Sequence, residues 1–193
     1  MYRAVLLFSA AFMVAAPGAP AWAQSFAPGD GSGPASRPAI PKRGDDQRRA
    51  SKNARLEGEV DGVGVVVSYG RPKVRDRKVW GKLVPYNKVW RTGSDEATTI
   101  TFDQSVTVQG KKLARGTYAL FTKPGSDEWE VIFNADPEQW GAYKHDPAKD
   151  VLRVKAKPTA HDHTEALKFE IEGDRLLILW EKLALPVRIQ KAS

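Results

Sequence analysis

The chain has 193 residues, 41% of them hydrophobic, no cysteine, and a formal net charge of +7 at pH 7. The lack of cysteine excludes disulfides, thiolate metal sites, a cysteine nucleophile and the acylated cysteine of a lipoprotein. Any fold must therefore rest on its core alone. A single domain of roughly 140 residues can bury about two thirds of the surface that its unfolded chain exposes.

Residues 1–23 have the features of a secretory signal peptide. Arg3 supplies the positive charge, and 13 mainly apolar residues follow before Pro17. This run is shorter than the roughly 20 residues that span a bilayer. Small residues at Ala21 and Ala23 favour cleavage before Gln24. We therefore expect a soluble exported protein, periplasmic or secreted, that is not a lipoprotein and has no transmembrane segment after cleavage.

Residues 24–55 are predicted to form a disordered linker that is basic and rich in proline and glycine. They contain four Gly, four Pro and few large apolar side chains, so they cannot bury enough surface to offset the entropy of ordering. Their net charge is +4, which leaves only +2 on the domain predicted at 56–193. Because a nucleic-acid reader concentrates positive charge on its folded surface, no nucleic-acid partner is expected.

From Leu56 onward, apolar and polar residues alternate with period two. The pattern is clear at Val63–Tyr69, Leu152–Ala156 and Leu167–Ile171, and it predicts strands with one buried face and one wet face. Composition and turn residues indicate further strands, and these are Ala97–Phe102, Ser105–Val108, Thr117–Thr122, Trp129–Asn134, Arg175–Glu181 and Pro186–Gln190. About nine short strands predict an all-β domain, an antiparallel β-sandwich or flattened barrel.

One or two short helical turns are expected between these strands. Asp136 is a candidate N-cap, Pro137 suits the first helical position, and Gln139 completes a capping-box spacing. This turn would carry Trp140. A second Asp-Pro pair at Asp146 predicts another turn before the strand at Val151.

The stretch from Tyr69 to Thr101 is the densest in aromatic and charged residues, and it falls in loops and strand ends. Because binding residues concentrate on loops held by a rigid sheet, this stretch is where a ligand site is expected. With two aromatic residues from farther along the chain, it gives a candidate binding groove of Arg71, Trp90, Arg91, Glu96, Tyr118 and Trp140. The alternative is structural: the tryptophans belong to the core, and Arg91 pairs with Glu96 to order the loop.

Several motifs carry a resemblance to a known family. They are Arg71-Pro72, Gly81-Lys82-Leu83-Val84-Pro85-Tyr86, Val89-Trp90-Arg91-Thr92-Gly93, Glu96-Ala97-Thr98, Gly116-Thr117-Tyr118 and Trp140-Gly141. This pattern resembles the DUF2911 family, exported bacterial domains of unknown function, over most of residues 56–190. The resemblance implies export and one intact domain, and it assigns no catalytic residue. The chain departs from the family where Arg75-Asp76 replaces a Lys-Gly turn, and Asp tolerates the left-handed backbone that such a turn uses.

Patterns for chemistry are weak. In an extended segment, His161, His163 and Glu165 would share one face and could hold zinc or iron, although a polar edge loop is the more ordinary interpretation. No cofactor is expected, because no phosphate loop, dinucleotide fingerprint or nucleophile elbow occurs.

The sequence therefore favours a non-catalytic binding or interaction domain of the cell envelope, whose partner is a small molecule, a glycan or an envelope protein. Two alternatives stay open. One is a hydrolase that acts on an envelope polymer through loop carboxylates. The other is a structural or assembly protein, which would present an unpaired strand edge or an apolar patch.

Overall fold

The computed structural model describes residues 38–192, so the expected signal peptide and the first part of the expected linker lie outside the described residues. Within that range the chain is all-β, as predicted, with ten strands in two antiparallel sheets. The strands are β1 (Lys52–Val60), β2 (Val63–Arg71), β3 (Thr98–Phe102), β4 (Val106–Val108), β5 (Lys111–Leu113), β6 (Gly116–Lys123), β7 (Trp129–Asn134), β8 (Asp150–Ala156), β9 (Thr159–Glu172) and β10 (Arg175–Lys191).

The two sheets form a sandwich. The six-stranded sheet has the order β1-β2-β3-β6-β7-β8, and the four-stranded sheet has the order β5-β4-β10-β9. Alternate side chains of both sheets point inward and form one core, in which Ile100, Phe102, Leu120, Leu167 and Ile189 are almost fully inaccessible. This is the arrangement that period-two patterning produces when two sheets pack face to face.

Three strand predictions need correction. Strand β1 begins at Lys52, so the domain boundary expected at residue 56 lies inside a strand. The stretch Lys111–Leu113, which is not among the strands predicted from sequence, forms β5 and pairs with β4. The two strands predicted at the C-terminus are one continuous strand, because a bulge with Glu181 at φ 56° interrupts the pairing of β10 with β9 without ending it.

The helical turn predicted at Asp136 does not form. Its carboxylate bonds Lys149 Nζ at 2.8 Å instead of capping a helix, and Asn134 Oδ1 accepts the Asp136 amide at 3.0 Å. Trp140 instead forms an isolated β-bridge with Glu96. The second predicted turn is confirmed as a short 3₁₀ turn at Pro147–Lys149.

The outer face of the six-stranded sheet supports the loops that carry the candidate site. A second, smaller cluster of Ala97, Ala119, Phe121 and Ile132 lies on this face. Val89 and Ala142 pack against it from the two loops, residues 84–97 and 135–149. Two loops that are distant in sequence are thereby fixed side by side. No helix in the described part of the chain is long and apolar enough to cross a membrane.

Candidate functional site

The second half of the expected linker is not free chain but an arm, residues 38–49, that lies against the domain. Its principal anchor is Arg43, whose side chain is only 8% exposed. Arg43 Nε donates to Asn53 Oδ1 at 2.8 Å, and Nη2 donates to Ser94 O at 2.6 Å. Its Nη1 donates to the carbonyl oxygens of Glu96 and Ala97, both at 3.1 Å. A rigid guanidinium fork satisfied in this way holds the arm in place.

Glu96 is the acidic centre of this contact. Arg49 clamps its carboxylate with two bonds of 2.5 and 2.6 Å, and the Gly44 amide donates a third at 2.9 Å. Arg43 Nη2 lies 3.1 Å from the same carboxylate. Burial by itself would raise the pKa of Glu96, but the Arg49 and Gly44 hydrogen bonds and the Arg43 charge lower the pKa to about 2. Glu96 is therefore fully ionised at neutral pH.

The Glu96 loop approaches the sheet so closely that two glycines are required. A Cβ on Gly70 would lie 2.5 Å from Ser94 O and 2.9 Å from Arg43 Nη2. A Cβ on Gly93 would lie 2.7 Å from Thr98 Oγ1. The same loop stores backbone strain, because buried Thr92 has φ 51° and Asp95 has φ 62°. Strain of this kind in a buried β-branched residue is characteristic of functional loops.

Trp140 lies beside this cluster on the neighbouring loop. The Glu96–Trp140 bridge is flanked by two backbone hydrogen bonds, from Ala97 N to Gln139 O and from Gly141 N to Asp95 O, each 3.0 Å. Although its backbone is fixed, the Trp140 side chain is 54% exposed. The Arg49 guanidinium carbon lies 5.8 Å from the centre of its ring. A rigidly placed, exposed indole is a typical recognition element.

A cleft of about 370 Å³ opens between the arm and Trp140. Residues 41–43 of the arm form one wall and residues 137–140 the other, with Thr99 and the Glu96–Ala97 pair between them. Within the cleft wall, the Oε1 atom of the buried Gln139 side chain has no hydrogen-bond partner among residues 38–192. The volume is that of a site for a small molecule.

Trp90 is partly buried, packs against the core and does not line this cleft. It stacks on Trp180 at 5.5 Å and meets Trp80 edge-on at 6.0 Å, while Trp80 also contacts Trp129 at 4.7 Å. Its indole Nε1 donates to Gly93 O at 3.2 Å. These contacts favour the structural alternative for Trp90 over a role in ligand binding.

Of the other predicted site residues, Arg71 and Tyr118 make structural contacts away from the cleft, and Arg91 lies beside it. Arg71 donates from Nε to Leu167 O at 3.2 Å, and Tyr118 donates from its hydroxyl to Ala114 O at 2.8 Å. Burial raises the pKa of Tyr118, as expected of a ring that packs against Phe133 in the core. Arg91 lies beside the cleft loop, with Nη1 3.5 Å from a Cβ built on Gly141.

Arg91 does not form the ion pair predicted with Glu96. Glu96 pairs with Arg43 and Arg49 instead. The buried Nε of Arg91 has no hydrogen-bond partner among the described residues. The structure therefore brings Arg91, Glu96 and Trp140 together, and it leaves Arg71, Trp90 and Tyr118 elsewhere.

The candidate metal ligands lie on an exposed segment of β9. Among residues 38–192, no group of three or more His, Asp and Glu side chains comes together in a way that could hold a metal ion. Glu165 instead accepts the Arg75 amide at 3.1 Å, which lowers its pKa, and contacts His163 at 3.4 Å. His161 Nδ1 donates to the backbone carbonyl oxygen of its neighbour Asp162 at 2.7 Å.

A family model described as a protein of unknown function, DUF2911, matches residues 51–189. The chain belongs to the DUF2911 family. The match begins one residue before β1 and covers both sheets, both site loops and the Glu96–Trp140 bridge. The whole arm precedes the matched residues. Neither curated proteins nor solved structures give a match to the chain.

Two arginines of the arm and one glutamine are the site residues that the sequence did not reveal. Arg43 and Arg49 lie in a polar stretch that contains no hydrophobic pattern, and their partner Glu96 is about fifty residues away. Gln139 was interpreted as a helix-capping residue, and its side chain donates to Asp136 O at 2.6 Å in a loop. The only sequence signal at these positions is the excess of Arg near the end of the stretch.

Proposed function

We propose that this DUF2911 protein is a non-catalytic binding domain and that the cleft between the arm and Trp140 holds its ligand. The observation that carries the proposal is Trp140, an indole that is 54% exposed although backbone hydrogen bonds on both sides fix its position. The exposure of a large aromatic ring to water is unfavourable. Because hydrogen bonds fix the backbone on both sides of Trp140, the fold itself holds the ring in this exposed position. A preformed aromatic wall beside a cleft favours ligand binding.

The lining of the cleft favours a small saccharide as the ligand. The indole offers a flat apolar face, which suits the C–H face of a pyranose ring. Lys42, Thr99 and Glu138 supply donors and acceptors around it. Arg91 lies beside the same loop, and its buried Nε has no hydrogen-bond partner among the described residues, which favours a sugar that carries a carboxylate or phosphate. The residues that line this cleft thus suit the glycan among the partners expected from sequence.

The state of Glu96 favours binding over hydrolysis at this position. A general acid must hold a proton near neutral pH, and enzymes raise a carboxyl pKa for that purpose. Glu96 has the opposite property, with a pKa lowered to about 2 by its arginine partners. Its carboxylate is also fully occupied by those partners. We assign it an anchoring role.

Export remains part of the proposal, supported by the apolar run and the small residues before Gln24. Mass spectrometry of the protein purified from its native host tests it. A mature N-terminus at Gln24 supports a periplasmic or secreted location. A retained Met1 contradicts it.

A matched pair of variants on one loop tests the binding role. Trp140→Ala removes the indole from the cleft, and Tyr143→Ala removes a ring that is 86% exposed three residues away. Saturation-transfer NMR against a panel of neutral and acidic mono- and disaccharides identifies a ligand, and calorimetry gives its Kd. We expect Trp140→Ala to weaken binding by roughly tenfold or more and Tyr143→Ala to leave it unchanged.

Two results would count against the proposal. One is that no saccharide of the panel binds the parent protein. The other is that Tyr143→Ala weakens binding as much as Trp140→Ala, which would place the ligand outside the cleft.

A further inference from the structure

The positive charge of the folded domain is concentrated in one segment. Residues 71–88 contain seven Lys and Arg and a single acid, Asp76, for a net charge of +6. The rest of the domain over 56–193 sums to −4. The small average charge of the domain therefore conceals a strongly basic loop on an otherwise acidic body.

Part of this segment forms a compact knob, residues 78–86. Backbone hydrogen bonds close it, from Leu83 N to Lys78 O at 3.2 Å and from Val84 N to Val79 O at 2.9 Å. A third runs from Gly81 N to Val84 O at 2.9 Å. Val79 and Val84 anchor the knob in the core, so its geometry is fixed by the fold.

The knob presents apolar side chains and lysines together. Leu83 is 41% exposed and Tyr86 is 44% exposed, and both are among the few large hydrophobic residues left on the described surface. The Tyr86 ring covers Gly81, whose φ of 81° makes the turn between Trp80 and Lys82. Leucine and tyrosine therefore lie on the same turn as two lysines.

The cations on the knob and directly beside it in sequence are not neutralised. Within the described part of the chain, the side chains of Lys78, Lys82 and Lys88 are exposed and form no ion pair. Arg77 donates to the carbonyl oxygens of Lys73 and Val74, and so keeps its full charge. Two acids, Asp127 and Glu128, share a surface depression with Tyr86. Glu128 is itself paired with Lys155 at 2.9 Å, and Asp127 accepts a hydrogen bond from Ser126 Oγ at 2.9 Å.

We propose that the knob docks the protein on an anionic lipid bilayer. The lysines would lie at the headgroups, where each adds attraction to the negative surface, and Leu83 and Tyr86 would enter the interface. Tyrosine favours that depth because its ring is apolar and its hydroxyl polar. A soluble polyanion needs the lysines but gains nothing from an exposed leucine, and for this reason the observations favour a membrane.

Binding of the full chain to vesicles tests the proposal. One set of vesicles contains phosphatidylcholine and phosphatidylglycerol in equal amounts, and the other contains phosphatidylcholine alone. We compare Lys78→Gln/Lys82→Gln/Lys88→Gln with a control of the same charge, Lys144→Gln/Lys157→Gln/Lys182→Gln, whose lysines are exposed elsewhere. All proteins share the same N-terminal residues, so a difference between variants reports on the replaced lysines alone.

We expect the parent protein to bind the anionic vesicles, and added salt to weaken this binding. The knob variant should bind the anionic vesicles roughly a hundredfold more weakly than the parent, and the affinity of the control should stay close to that of the parent. Equal losses in both triple variants would contradict the location of the site.

Leu83→Ser separates the membrane from a soluble polymer. It keeps every charge and removes an exposed side chain, so the fold should survive. We expect several-fold weaker vesicle binding and no change in binding to soluble polyphosphate. Binding of polyphosphate by the parent as tight as that of the vesicles, with Leu83→Ser neutral in both, would overturn the membrane proposal. Absence of any vesicle binding would overturn it too.

Discussion

Trp90 and Trp140 are the same residue type in the same kind of loop, and the fold uses them in opposite ways. Trp90 is bonded to Thr122 of β6 through both backbone groups, at 2.7 and 2.9 Å, and its ring stacks on Trp180 inside the sandwich. Trp140 is bridged to Glu96, and its ring stays in water beside the arm. In this fold the backbone partner of a loop tryptophan, and not its neighbours in sequence, determines whether the ring packs against the core or lies at the surface.

The largest difference between the two regions should appear in stability. Trp90→Ala removes a ring from a cluster of four tryptophans and leaves a cavity that the rigid sheets cannot close. We expect a loss of about 3 kcal/mol in the free energy of unfolding, measured by urea denaturation. A loss below about 1 kcal/mol, the range of surface substitutions, would mean that Trp90 is not a core residue.

A smaller effect is expected where the arm meets the site. Arg43→Ala leaves the Ser94 and Ala97 carbonyl oxygens without their donor and removes one partner of Glu96. We expect a loss of about 2 kcal/mol, because Arg49 still pairs with the carboxylate. Amide hydrogen exchange should show faster exchange in residues 44–53.

Arg48→Ala is the matched control for this prediction. Arg48 is exposed, and its side chain forms no hydrogen bond or ion pair with the described residues. Its removal should change neither the stability nor the exchange rates. Equal behaviour of the two variants would show that the arm does not depend on the Arg43 contacts.

The pH dependence of stability should follow Glu96. Its pKa is about 2 in the fold, against an ordinary value of 4.5. The unfolded chain therefore takes up the proton first as the pH falls. The stabilisation is complete above about pH 4.5 and is lost as the pH falls towards 2. Glu96→Gln should flatten this part of the stability curve, and an unchanged curve would refute the assignment.

The fold was predictable because alternation needs only local sequence. Val63–Tyr69, Leu152–Ala156 and Leu167–Ile171 all lie in strands, as period two predicts. Local sequence also explains the failures. Val63–Gly70 is buried on both faces, which alternation did not indicate. Asp136 forms an ion pair with Lys149 and does not cap a helix.

The site was only partly predictable because its partners are far apart in the chain. Glu96 and Trp140 were found as residue types suited to recognition, and the bridge between them is a product of the fold. Arg43 and Arg49 lie in a stretch without hydrophobic pattern, which composition alone describes as disordered. The basic segment at residues 71–88 was missed for a similar reason. Its net charge of +6 and the −4 of the rest of the domain sum to a small domain charge.

The smallest expected change in stability belongs to Trp140→Ala, and it completes the comparison with Trp90→Ala. The same atoms are deleted from an exposed ring whose contact with Arg49 is a cation–π pair 5.8 Å long. Such a pair at an accessible position contributes about 0.5–1 kcal/mol, so unfolding should become easier by no more than that. Denaturation under the conditions used for Trp90→Ala measures it. If Trp140→Ala lowers the free energy of unfolding as much as Trp90→Ala does, the exposed indole stabilises its loop. Its exposure is then no longer evidence for a ligand in the cleft.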